Sequence, residues 1–260
     1  MGPMVWGPRR FDLEFRLRRT LPGGAQDAVS YAGIVRRRRT DEERRAFVRE
    51  QTTLAPVPLV PELRLYRAAS VTPVWFETAR FLEDDAADVP FWCVPWAGGQ
   101  ALARWVLDHP GTVRGARVLD FACGGGLVAL AATLAGGHVR AVDIDPLARV
   151  TTTLNAAANG LTLDVATEDL VGDALAGIDV LLAGDVWYEP RPSARFRRWF
   201  RKIASTGRTV LTADSGRPYA PRRVRELARY EVPTPFELEA MVVRTARVLA
   251  IDPTGRSTPR

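Results

Sequence analysis

From Arg117 onward the chain alternates apolar runs of strand length with segments of helix length, and no other feature restricts its fold so tightly. Strands are expected at residues 117 to 122, 138 to 143, 162 to 166, 178 to 184, 208 to 213 and 241 to 250, with a short one near 230 to 232. Helices fit residues 98 to 109, 126 to 135, 146 to 158, 191 to 204 and 221 to 229. Such alternation builds βαβ units, which right-handed crossovers close into a doubly wound sheet. The expected fold is therefore α/β, a Rossmann-like sheet of seven strands, mostly parallel. The last strand pairs antiparallel, because residues 233 to 239 have little helical character. Ligands of such sheets bind beyond the carboxyl ends of the central strands.

Four segments follow. Residues 1 to 40 mix Gly, Pro and Arg without a period and read as a poorly ordered, dispensable Arg-rich extension. Residues 41 to 96 form an arm, with a short helix at 41 to 51 and a Pro-punctuated extended piece at 54 to 62. With Arg64, Tyr66 and Val74 to Phe76 this arm is expected to wrap the main domain or wall a substrate. Residues 97 to 252 make that domain, and 253 to 260 a flexible tail.

The formal charge of +6 looks like a nucleic-acid signature until it is mapped. Residues 1 to 50 hold twelve Arg against seven acids, which is 12 − 7 = +5, so the remainder carries only 6 − 5 = +1. Nucleic acid is an unlikely partner on that count. Two cysteines, Cys93 and Cys123, give neither a disulfide framework nor a metal-ligand spacing, and two distant histidines add no metal site. No apolar stretch reaches membrane-spanning length, and the N-terminus lacks a signal-peptide pattern. A cytoplasmic protein without a metal is expected; oligomeric state is not legible.

The segment VLDFACGGGLVAL runs from strand through glycine turn to helix. Gly124, Gly126 and Ala129 also satisfy the G-x-G-x-x-A dinucleotide pattern, a weak signal alone. Asp120, at the strand end, repels a pyrophosphate and welcomes an ammonium, which favours a cationic amino-acid nucleoside. Asp143, in AVDIDP, lies seventeen positions after Gly126, where a carboxylate accepts from ribose hydroxyls. Asp145, before Pro146, reads as a helix N-cap. Of Glu168 and Asp169, one is placed to reach an adenine amino group. The helix start in PFWCVPWAGGQ offers amides to a methionine carboxylate, with Trp96 and Gln100 on that side.

Strand 178 to 184 ends in GDVWYEP. Methyl transfer from a sulfonium to an amine requires a neutral nitrogen held in line, which carboxylates and aromatic faces orient. Asp185, Tyr188 and Glu189 are the expected catalytic group, with Trp187, Tyr188 and Glu189 facing the acceptor.

Taken together, LAPVPLVPEL, PFWCVPWAGGQALARWVLDHP, RVLDFACGGGLVAL, AVDIDP, LNAAANG, LLAGDVWYE and YEVP resemble the lysine methyltransferases that modify the electron transfer flavoprotein β-subunit. These are seven-β-strand enzymes dependent on S-adenosylmethionine, whose bacterial relatives are often labelled nicotinamide N-methyltransferase-like. The resemblance spans roughly residues 44 to 250. It implies that Asp120, Gly124 and Gly126 line the donor pocket, that Asp143 binds ribose, that S-adenosylhomocysteine is the product, and that Asp185, Tyr188 and Glu189 lie near a lysine of a protein acceptor; Ala122, Ile144, Asp169 and Asp185 are further candidate donor contacts. Ala122 stands where glycine is common, Cys123 and Gly125 where serines are, and Ser215 where proline is. The alternatives are a small-molecule amine N-methyltransferase, an NAD-dependent oxidoreductase and a non-catalytic binding protein.

Overall fold

The computed structural model describes residues 39–222, 224–234 and 243–252. The expected N-terminal extension, except its last two residues, and the C-terminal tail lie outside the described residues, as does most of the loop before the last strand.

Seven strands form one sheet in the order β5-β4-β3-β6-β7-β9-β8. They are β3 (Arg117–Phe121), β4 (His138–Asp143), β5 (Asp164–Thr167), β6 (Val180–Gly184), β7 (Thr209–Asp214), β8 (Val224–Pro233) and β9 (Val243–Ile251). The strands from β5 through β7 pair in parallel. β9 pairs antiparallel with both β7 and β8, so it alone is inverted and β8 runs with the parallel set. The strand order reverses between β3 and β6, where a doubly wound sheet opens its crevice.

Period-two alternation sorts the side chains by face. Val118, Val180, Leu182 and Leu211 pack with α3 (Ala97–Asp108) and α4 (Leu127–Leu134), while Leu119, Phe121, Leu181 and Val210 pack with α6 (Pro190–Ala204). On that second face Phe121 meets the edges of Phe196, Trp199 and Phe200 at 5.0 to 5.9 Å. α5 (Pro146–Ala158) starts as its sequence demands: Asp145 is the N-cap, accepting from Leu147 N–H, and Pro146 follows at N1.

Residues 221 to 229 are the main correction, because the expected helix is strand β8. Glu226, Leu227, Ala228 and Arg229 are good helix formers, but propensity is a weak prior. Pairing with β9 buries Tyr230 and Val232 against α3 and overrides it, with a bulge between Glu226 and Ala228.

In the arm, α1 (Asp41–Gln51) appears where expected, closed by a capping box between Thr40 and Glu43. The extended piece is half of a hairpin, β1 (Thr53–Val57) and β2 (Val60–Arg67). Val74 to Phe76 lie on α2 (Val71–Leu82), with Val71, Val74 and Thr78 buried and Phe76 67% exposed. Phe47, Val48, Val71, Val74 and Trp92 share a core with Leu147, Val150 and Leu154 of α5, so the arm packs directly on the domain. The outer edge of β2 is met by side chains: Asn159 accepts from Arg64 N–H and donates to Arg64 C=O, and Asn155 accepts from Tyr66 N–H. Ala68 N–H continues the row by donating to Cys93 C=O. Among the described residues no helix is long and apolar enough to cross a membrane.

Candidate active site

The glycine turn follows β3 and is held from both sides. Ala122, Gly124 and Gly126 all have positive φ, at 55°, 54° and 79°. Cys123 N–H donates to Val142 C=O, and Gly124 N–H donates to Asp143 Oδ2 at 2.9 Å. From α5, Thr152 Oγ1 donates to Gly124 C=O and Asn155 Nδ2 to Gly125 C=O. The glycines are needed for different reasons. A Cβ on Gly126 would sit 2.5 Å from Thr152, and one on Gly125 would sit 2.8 Å from Trp92 C=O, whereas one on Gly124 would meet only Phe91 C=O at 3.6 Å. Space therefore remains over Gly124.

Asp120 lies beneath the turn, 1% exposed. Its Oδ2 accepts from Ala129 N–H in the first turn of α4. Burial pushes its carboxyl up to about 8, and the charge of Asp143 adds to the lift. A buried acid this reluctant to ionise becomes a good partner once a cation enters beside it. Asp143, half-buried at the end of β4, accepts from Gly124 and Asp145 amides, one to each oxygen, and burial raises its carboxyl too. A carboxylate has about four acceptor positions, so two oxygens with one bond each retain capacity for a diol. Ile144 beside it is 53% exposed, an apolar face next to an acid. That pairing suits a nucleoside, with its hydroxyls on Asp143 and its base against Ile144. Asp169 is exposed in the loop after β5, where its Oδ1 accepts from Val171 N–H, and Glu168 is paired with Arg140.

Asp185, just past β6, has φ 55° and aims its carboxylate at the start of α3. Oδ2 accepts from Gly99 N–H at 2.6 Å, while Oδ1 is buried without a well-formed hydrogen bond among the described residues. The fit depends on small residues: a Cβ on Gly98 would lie 2.7 Å from Asp185 Oδ1, and one on Gly184 would lie 2.9 Å from Gly99 Cα. Burial lifts Asp185 to about 7, opposed by the Gly99 amide and reinforced by the charge of Asp214. The helix end expected to greet a methionine carboxylate is thus held by the protein's own.

Gln100 corrects the reading further. It is 1% exposed, accepting from Leu59 N–H and donating to Pro95 C=O, and so ties the hairpin to α3 rather than facing a ligand. Trp96 is the N-cap residue of α3; its Nε1 donates to Phe91 C=O and its ring lies 5.6 Å from that of Phe91. Trp187 is also relocated. It is fully buried, donating to Thr212 Oγ1 and packing on Phe200, and is a core residue rather than an acceptor wall. Its neighbour Tyr188 turns the other way, 42% exposed with its ring 5.1 Å from Phe91. Burial, then the charges of Glu189, Asp143 and Asp88, raise the Tyr188 hydroxyl. Burial and Asp88 raise Glu189 as well.

The structure therefore brings Asp120, Ala122, Gly124, Asp143 and Ile144 together on one side, and Tyr188, Glu189 and Trp96 across from them. Phe91 and Asp88 join the second group, and Thr152 and Asn155 support the first; sequence reasoning singled out none of these four. An asparagine inside α5, Asn155, was the available signal, since Asn is disfavoured in helix interiors. Among the described residues no His, Cys, Asp or Glu group is arranged to hold a metal.

Residues 105–184 match the family model described as Ribosomal protein L11 methyltransferase (PrmA). The electron transfer flavoprotein beta subunit lysine methyltransferase of Xenopus laevis is 33% identical over 217 residues, covering 80% of this chain and 87% of that protein. The Mus musculus protein of the same name is 32% identical over 222 residues, covering 82% and 86%. Among solved structures, magnesium protoporphyrin IX methyltransferase from Synechocystis PCC 6803 is 18% identical with a TM-score of 0.44, covering 59% of this chain and 78% of that one.

Proposed function

Because the chain belongs to the electron transfer flavoprotein beta subunit lysine methyltransferase family, we propose that it methylates lysine nitrogen on a protein such as that β-subunit, with S-adenosylmethionine as donor. The observation that carries this reading is the pairing of Asp143 with exposed Ile144 beside the open face of Gly124, with Tyr188 near enough to Asp143 and Glu189 to feel both charges. Asp143 takes the ribose hydroxyls, Ile144 the adenine, and Asp120 the ammonium of the amino-acid part. When bound, the donor supplies an electrophilic methyl group on a positively charged sulfur.

The remaining work falls to this chain. A lysine amine must be neutral when it attacks, and burial among Phe91, Tyr188 and Trp96 favours loss of its proton. The aromatic faces stabilise the incoming ammonium before that proton leaves. Glu189, whose carboxyl burial raises, is placed to accept the proton or to orient the nitrogen by hydrogen bonding. Asp185 fixes the relation of β6 to α3, and so holds the chain that presents Tyr188 and Glu189.

Calorimetry with S-adenosylmethionine and S-adenosylhomocysteine tests the donor half; a folded sample that binds neither removes the reading. Incubation with labelled donor and purified electron transfer flavoprotein, read by mass spectrometry, tests the acceptor half. Label on a β-subunit lysine supports it, and label only in small solutes of a lysate replaces it with a small-molecule N-methyltransferase.

A further inference from the structure

The near-neutral charge of residues 51 to 260 conceals a division along the chain. Residues 51 to 189, which hold every donor-pocket candidate, carry eight Arg against seventeen acids, which is 8 − 17 = −9. Residues 190 to 222 carry eight Arg and Lys202 against one acid, which is 9 − 1 = +8. The boundary falls at Glu189, which is both the last acid of the crevice and the N-cap residue of α6.

Folding keeps the two parts distinct. α6 buries Phe196, Trp199, Phe200 and Ile203 against the sheet and turns its cations outward. Arg191, Arg195, Arg198 and Lys202 fall at i, i+4, i+7 and i+11, a single ridge along the helix, with Arg195 half-buried and the other three exposed. Like charges at that spacing repel, and α6 supplies no acid to relieve them. Among the described residues Arg198, Arg201 and Lys202 have no ion pair. Arg197 donates to Tyr219 C=O, which ties the turn after β7 to the helix and leaves the charge in place. The one acid of the segment, Asp214, is buried, and its Oδ2 accepts from the Gly216 and Arg217 amides of its own turn. Asp173 reaches α6 only through its carbonyl, which accepts from Trp199 Nε1.

We propose that the cationic ridge of α6 docks an acidic stretch of the acceptor protein, so that the lysine presented to Tyr188 and Glu189 is one flanked by carboxylates. The assignment rests on the protein-acceptor reading above for the source of that stretch. Two adjoining fields of opposite sign fix the class of occupant. At the crevice Glu189 and Asp88 are close enough for their charges to interact, and together they attract an ammonium; the ridge that starts beside them attracts carboxylates. A protein segment carries both signs. A nucleic acid would bring phosphates to the acids of the crevice as well as to the ridge, and be repelled at the first. At a rise of 1.5 Å per residue, Arg195 to Lys202 stand about 9 to 20 Å along the helix from Glu189. In an extended segment, at about 3.3 Å per residue, acids roughly three to six residues from the lysine reach them.

The test uses the full chain and a fluorescently labelled peptide, a lysine between Gly-Gly spacers with four glutamates on each flank, read by anisotropy. A counterpart with glutamine flanks and a short single-stranded RNA competitor complete it. The wild type should bind the glutamate peptide about tenfold or more tighter than the glutamine one, and Arg198→Glu with Lys202→Glu should erase that difference. Arg198→Gln with Lys202→Gln, which removes the charges without reversing them, should weaken binding about threefold. Arg49→Glu with Arg114→Glu makes the same change of net charge at exposed positions on other elements, and should alter affinity less than about twofold. A cooperative melt reports whether each variant is folded. Equal binding of the two peptides by the wild type, equal losses in the two glutamate double variants, or displacement by RNA at lower concentration than by unlabelled peptide overturns the proposal. Because the readout is binding without turnover, docking without methyl transfer counts against the methyltransferase reading alone, and methyl transfer without docking counts against this one alone.

Discussion

Replacing Asp120 with Asn should remove a large part of the protein's response to pH. The side chain is 1% exposed, and burial lifts its carboxyl from an ordinary 3.8 to about 8. An acid raised in this way binds its proton more tightly in the folded state than in the unfolded one. Its full contribution is therefore present below the unfolded value and is lost as pH climbs toward the folded value. At pH 7 the interval above the ordinary value is about three units, which at 1.36 kcal/mol each amounts to roughly 4 kcal/mol. Asn has nearly the same shape, and its amide oxygen can still accept from Ala129 N–H, 2.9 Å from Oδ2 in the wild type. It cannot ionise. The stability difference between variant and wild type should therefore shift by about 4 kcal/mol in the variant's favour between pH 4 and 7, about 8–16 °C in relative Tm for a domain of this size. Any fixed cost of the added amide NH₂ offsets the curve without changing its slope. Thermal melts of both proteins at half-unit pH steps measure it, and a difference that stays flat within about 1 kcal/mol refutes the argument from burial. Saturating S-adenosylhomocysteine should shrink the shift, because an ammonium beside Asp120 draws its pKa back down.

Other perturbations separate neighbours that look alike. Gly98→Ala places a Cβ 2.7 Å from Asp185 Oδ1 and 2.8 Å from Ala213 C=O, and should cost about 1–3 kcal/mol and depress methyl transfer; Gly99→Ala, 3.8 Å from Asp185 Oδ2, should be tolerated, and equal melting temperatures for the two would contradict the geometry. Trp187→Ala should lose about 3–5 kcal/mol by denaturant titration, whereas Tyr188→Ala should keep its stability within about 1 kcal/mol and lose turnover. Ala122→Gly relieves a positive φ of 55° and should leave stability unchanged or raised by up to about 1 kcal/mol; a loss larger than that would show the alanine methyl to be packed rather than strained.

The parallel strands were legible because most are apolar runs bounded by turn residues, and the position of Asp143 because it closes such a run. What the pattern could not supply was direction beyond a strand's end. β6 stops at Gly184, and the positive φ at Asp185 breaks the alternation, so the adjacent aromatics Trp187 and Tyr188 part company, one into the core and one to the crevice. Gln100 was misread for a related reason, since a polar residue in a helix's first turn is as suited to a loop amide as to a ligand, and only the hairpin's position decides. β8 is a tertiary result: its residues favour a helix locally, and β9 alone makes them a strand. α2 did carry a signal, Ser70 ahead of Val71, Val74 and Thr78 at helical spacing with Pro73 in the first turn, masked by β-branched and aromatic content.

The two asparagines that meet β2, Asn155 in α5 and Asn159 at its C-cap, have an effect outside catalysis. A free strand edge is a row of unused amides and carbonyls on which another chain can add, the common route to aggregation. Asn155 and Asn159 fill that row at Tyr66 and Arg64 with amide groups that imitate a neighbouring strand but have no further edge to offer. The β2 edge is thereby ended rather than merely hidden, so that side of the small two-stranded sheet offers no row on which a copy of the chain can add.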